Sequence, residues 1–213
     1  MARLNANAKR CSENTDATHI RLLRLILSHH LYEMLSMTTQ YLDNPERYGL
    51  ITRALHWSMA LVLGWQFLTC VVRVLMEDSA LDEFMWGTHR AAGVLLMLMV
   101  VLRLLWALRS LKQRPASLGV AAKLGHLALY GLMLGVPFFA LLRQYGSGRE
   151  LTVFGLQLMP GFSGEKIEWL MLPANLFHGW GGWLMLGLIV GHVVMVGVHR
   201  RQGQDILPRM LGQ

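Results

Sequence analysis

Four stretches of this chain are apolar over about twenty residues each, the length a helix needs to cross a hydrocarbon layer of ~30 Å. They run over residues 53–74, 88–108, 124–142 and 176–198. Backbone placed in lipid must satisfy its N–H and C=O groups internally, so each stretch is expected to be a helix. The predicted fold is all-α, an integral membrane four-helix bundle. Composition supports this where it bears on the surface. Hydrophobic residues make up 54% and charged residues 15%, against ~25% charged in a typical soluble domain. So few charges do not cover a soluble surface, but they suffice for a chain wrapped in lipid.

The connecting segments give an orientation. The segment between spans two and three carries Arg109, Lys112, Arg114 and Lys123 without an acid, and the tail after span four begins His199, Arg200, Arg201. The segment between spans one and two carries Glu77, Asp78, Asp82 and Glu83 without a base. Lys and Arg stay on the cytoplasmic side, so both termini and the second loop are expected there. The third loop, 143–175, mixes both signs and is silent on orientation. Its glycines and its prolines Pro160 and Pro173 predict turns, with a short surface helix over 165–172 that puts Trp169 at headgroup level. The formal net charge of +7 sits at span ends rather than in one patch, so it reads as loop charge and not as a nucleic-acid surface.

The chain divides into an N-terminal extension, 1–46, and a four-helix domain, 47–213. Within the extension, 20–37 is too short and too charged to span a membrane. Two readings stay open: an amphipathic interfacial helix, or translation starting at Met37 with the preceding residues an artefact of start-site choice. A third reading of the extension is disorder. Cys11 and Cys70 lie in different environments and are not expected to pair, and no CxxCH motif is present for covalent haem attachment.

Ionisable groups at membrane depth are costly and mark function. His56 lies near the start of span one, while His89, His126 and His178 open spans two, three and four. His192 lies deep in span four. His178 and His192 are 14 residues apart, which is nearly four turns, so they share a face to within ~40° and stand ~21 Å apart along the axis. One helix thus offers an imidazole near each membrane face. With spans one and three running outward and two and four inward, His56 shares a level with His192, and His89 with His178. Four inward-facing helices are a known cage for a cofactor. Two imidazoles on one iron leave no open position, which suits electron transfer. The reading is therefore two haem b groups, the cytoplasmic-side one between His56 and His192 and the outer one between His89 and His178.

His126 has no histidine left to pair with. It either caps span three at the interface or contacts a haem propionate or quinone. Arg103, 14 residues after His89, either snorkels to the headgroups or pairs with a propionate, since guanidinium suits carboxylate. Glycines near the histidines make room for a flat macrocycle. Gly187 and Gly191 also form a GxxxG pair, a signature of close helix packing.

Taken in order, several segments carry a family likeness. RALHW over 53–57, THRAAG opening span two, LRLLWAL closing it and GHLALYGLMLGVP in span three belong to the pattern. So do FHGWGGW at the start of span four and DILPRML in the tail. The chain resembles the prokaryotic cytochrome b561 family over about 48–211. That resemblance implies two non-covalent haem b groups on His56, His89, His178 and His192, a bacterial inner-membrane location and electron exchange with quinone such as ubiquinone. For some members it implies superoxide oxidation on the outer side coupled to ubiquinone reduction. One departure is Arg90, where relatives often carry lysine; the charge is kept.

Two rival functions are carried forward. A similar four-histidine anchor serves as cytochrome b subunit of hydrogenase- or formate dehydrogenase-type complexes, which need a soluble redox partner. A haem-free small transporter or assembly factor is the rival of another class. No catalytic residue is assigned, and a homo-oligomer stays open.

Overall fold

The computed structural model describes residues 25–27 and 41–212. The chain divides into two units, Met1–Leu42 and Asp43–Gln213. Of the first, residues 25–27 are exposed helix. The rest of the 20–37 stretch, the region of the alternative start at Met37, and Cys11 lie outside the described residues.

The second unit is built on four long helices: α1 Leu50–Leu75, α2 Ala80–Arg109, α3 Val120–Gly146 and α4 Glu168–Arg201. A short helix, α5 Leu207–Leu211, follows. All four long helices are apolar and long enough to cross a membrane. Their outward surfaces are apolar and exposed, with Leu61 at 76% and Val120 at 72%, as lipid contact requires. Each helix continues past the apolar stretch read from sequence, because intrahelical bonds persist beyond the hydrocarbon layer. α2 starts cleanly at Ser79, whose side chain accepts from Asp82 N at 3.1 Å, and Asp82 and Glu83 fall in the first turn, where the helix dipole favours negative charge.

The third loop departs from expectation in two ways. The predicted surface helix is the beginning of α4 itself, which starts at Glu168 and carries Pro173 within it. A proline this close to a helix start removes one backbone bond without ending the helix. The loop also contains a β-hairpin, β1 Leu151–Val153 paired antiparallel with β2 Leu156–Met159. Its turn uses Phe154 at φ 52 and Gly155 at φ 77, the positive-φ pair that matches strand twist in a two-residue turn. Leu151 and Val153 are buried, and β1 packs against α2. Gln144, near the end of α3, anchors the loop by donating to the carbonyls of Arg149 and Glu150, both at 3.0 Å.

The helices pack as two hairpins. α3 lies closely on α4 and α1 on α2, while α2 meets α3 less extensively; α1 and α4 are not among the closely packed pairs. The buried core is Met59, Leu63, Leu96, Val100, Val136 and Met185. Met185 falls midway between His178 and His192 in α4, so this apolar layer separates the two histidine levels.

The tail end of the bundle holds the start of α1, the end of α2, the start of α3 and the end of α4. It is tied by Trp106 Nε1 to Thr52 Oγ1 at 2.9 Å, Trp57 Nε1 to the Met210 carbonyl at 3.1 Å and Tyr48 N to the Arg209 carbonyl at 3.2 Å. Burial pushes the Tyr48 phenol above its usual range. Asp43, fully buried, accepts from Arg114 Nε at 3.0 Å and from Gly49 N at 2.8 Å. At the opposite, loop end, Arg73 Nη1 donates to the fully buried Asp82 carboxylate at 2.6 Å.

Candidate functional site

At the tail end, α1 brings His56 against His192 of α4, with ring centroids 6.4 Å apart. His126 of α3 joins them. Its side chain stays exposed, but its ring stands 5.3 Å from that of His192, edge-on at 72°. The sequence left His126 without a histidine neighbour, because depth alone assigns His192 to His56; α3 packs so closely on α4 that His192 has two. Arg103 of α2 donates from Nε to Tyr130 Oη at 2.8 Å, with its guanidinium 5.8 Å from that ring.

At the loop end, α2 brings His89 against His178 of α4, with centroids 6.1 Å apart. These rings are held by polar partners. His178 Nδ1 stands 3.1 Å from the Val136 carbonyl, so it carries the proton and donates. The helices meet closely here, since a Cβ on Gly181 would lie 3.0 Å from Val136 Cγ2. His89 Nδ1 stands 2.7 Å from Thr69 Oγ1, and its Nε2 is 3.0 Å from Gln66 Nε2. Trp86, one turn before His89, stacks on it at 4.6 Å and 26°. The Arg73 guanidinium lies 5.6 Å from the Trp86 ring.

Most glycines of α4 are open. A Cβ on Gly179, Gly182, Gly187 or Gly191 meets nothing within 4 Å. The GxxxG pair is therefore not a close-packing seam here; that role falls to Gly181. Among the described residues no cluster of three or more His, Cys, Asp or Glu side chains is set to hold a metal ion.

The model of the family described as prokaryotic cytochrome b561 matches residues 47–213. The chain belongs to the prokaryotic cytochrome b561 family. It is also 30% identical over 187 residues to cytochrome b561 homolog 2 of Escherichia coli (strain K12), covering 81% of this chain and 95% of that protein. The chain is thus a multi-pass membrane cytochrome of the b type, a haem-binding electron-transfer protein.

The interior fits that cofactor. Imidazole is a ligand type that would hold a haem iron, and the interior brings two such pairs together, with ring centroids 6.4 and 6.1 Å apart. Both pairs join α4 to the α1–α2 hairpin, across the part of the bundle that backbone packing leaves open. Gln66 Oε1 is buried there without a hydrogen-bond partner.

Gln66, Thr69, Trp86 and Tyr130 are the site residues that the sequence reading missed. Gln66 and Thr69 carried a usable signal. They are polar, three residues apart and inside an apolar span, where a polar side chain needs a partner. Tyr130 carried none, since its link to Arg103 depends on the register between α2 and α3.

Proposed function

We propose that the chain holds two haem b groups, one between His56 and His192 and one between His89 and His178, and moves electrons across the membrane in exchange with a quinone such as ubiquinone. The carrying observation is the pairing of imidazoles at both ends of one helix, α4, with the layer of Met59, Leu63, Leu96, Val100, Val136 and Met185 between them. Bound haem supplies reversible one-electron exchange with no open position on iron.

The protein's part is to fix the ligands and exclude water. His56 and His192 approach from opposite hairpins, as do His89 and His178, so ligation ties the hairpins together. Loop charge puts the tail end in the cytoplasm and the loop end outside. Arg103 and His126 then lie at the cytoplasmic level, where a guanidinium suits a propionate and an exposed imidazole suits a quinone oxygen. On the outer side a small one-electron reductant such as superoxide is the proposed donor, attracted by Arg149 and Lys166 of the third loop.

The test uses the purified cytochrome in liposomes. After stoichiometric reduction by dithionite, added ubiquinone should reoxidise the α-band and yield ubiquinol. A b-type spectrum that forms but does not respond to ubiquinone would overturn the quinone assignment.

A further inference from the structure

The two histidine pairs differ in what holds their rings. Among the described residues, neither His56 nor His192 has a hydrogen bond to its ring, whereas His89 and His178 each place Nδ1 against an oxygen. For His178 that oxygen is a backbone carbonyl. For His89 it is the hydroxyl of Thr69, a residue with no solvent exposure.

The direction of the Thr69 bond follows from its second contact. The Thr69 hydroxyl stands 2.7 Å from the Gln66 carbonyl of its own helix. A carbonyl only accepts, so the single hydroxyl proton is committed there. What the hydroxyl offers His89 is a lone pair. His89 Nδ1 must then carry the proton, and Nε2 must be the bare, basic nitrogen. Gln66 agrees, since its amide nitrogen lies 3.0 Å from Nε2 and can only donate to it. Trp86 stacked on the ring limits its rotation.

We propose that Thr69 is a positioning residue that fixes His89 in the tautomer whose Nε2 is the bare nitrogen, here met by the Gln66 amide that a haem iron would displace, so that α1 takes part in the loop-end site without supplying a ligand. This rests on the two-haem reading. Partners of this kind raise the basicity of the ligating nitrogen, and their loss typically weakens binding 10- to 100-fold. A more basic imidazole favours ferric over ferrous iron, so the bond holds the loop-end potential down. Among the described residues the tail-end pair has no counterpart.

The test compares wild type, Thr69→Val and Thr69→Ser as purified full-length protein, by haem stoichiometry, redox-titrated spectra and ferric EPR. Wild type with two haems per chain establishes the reading on which the proposal rests; any other stoichiometry counts against that reading and not against Thr69 alone. Thr69→Val keeps the shape and removes the acceptor. It should bind one haem 10- to 100-fold more weakly, with that haem's midpoint raised and its EPR signal altered, while the other haem is unchanged. Thr69→Ser should restore all three properties. Unaltered spectra and potentials in Thr69→Val would overturn the proposal. So would a Thr69→Ser protein as impaired as Thr69→Val, or a Thr69→Val effect spread equally over both haems, because each points to packing. If Thr69→Val does not accumulate, Thr69→Ser alone decides: wild-type haem content, potentials and EPR support the proposal, and a shift in either haem refutes it.

Discussion

The two ends of this bundle each bring imidazoles together but surround them differently. At the loop end each imidazole is fixed by an oxygen at Nδ1, and a stack of Arg73, Trp86 and His89 leads inward from the surface. At the tail end there is a third imidazole, His126, and a cation, Arg103, held by a tyrosine. The comparison separates two jobs. Rings fixed by hydrogen bonds favour a set potential and rigid ligation. A site with an exposed imidazole and a nearby guanidinium favours contact with a second, charged or protonatable molecule.

Ligand removal should have the largest effect on this contrast. His178→Ala should lose the loop-end haem and His192→Ala the tail-end one, each leaving one haem per chain by pyridine haemochrome assay. His126→Ala should keep both. If His126→Ala loses a haem while His56→Ala keeps two, the tail-end ligand set is His126 with His192, and the pairing drawn here is wrong.

The buried carboxylates come next. The Asp43 and Asp82 side chains have no solvent exposure, but those of their partners differ, with Arg114 at 18% and Arg73 at 38% exposed. Asp43→Ala leaves the more buried cation and also orphans Gly49 N, so it should cost about 3 kcal/mol. Asp82→Ala should cost about 2 kcal/mol, because water screens Arg73. Thermal unfolding in one detergent measures both; the reverse order would show that exposure of the partner is not what governs the cost.

Gly181→Ala places a Cβ 3.0 Å from Val136 Cγ2. It should destabilise the α3–α4 contact by about 1 kcal/mol and perturb the loop-end haem spectrum alone. The smallest effect expected is from Tyr130→Phe, which removes one hydrogen bond from Arg103 and costs about 1 kcal/mol or less. Arg103→Leu should lower the midpoint of the tail-end haem, since a nearby cation favours the added electron. A change confined to the loop-end haem would contradict the placement of Arg103.

The large features were legible in the sequence because they follow from simple periodicities. Span length follows from the apolar runs, and the meeting of His56 with His192 and His89 with His178 follows from the antiparallel order of spans and the 14-residue spacing in α4. What depends on tertiary register was not legible. The sequence does not say that α3 packs closely enough on α4 to bring His126 to His192, or that Tyr130 meets Arg103. Thr69 and Gln66 were visible as polar residues in an apolar span, but only their contact with His89 gives them a role. The hairpin over 151–159 escaped because its strands are three and four residues long, too short for alternation to stand out from a loop rich in glycine.

The central claim is that one helix supplies an imidazole to each of two haem sites. A redox-titrated optical spectrum with haem quantitation per chain tests it most directly. Two haem b per chain, titrating as two one-electron components of which His178→Ala and His192→Ala each abolish a different one, is the predicted result. A single component, or loss of the same component in both variants, would contradict it.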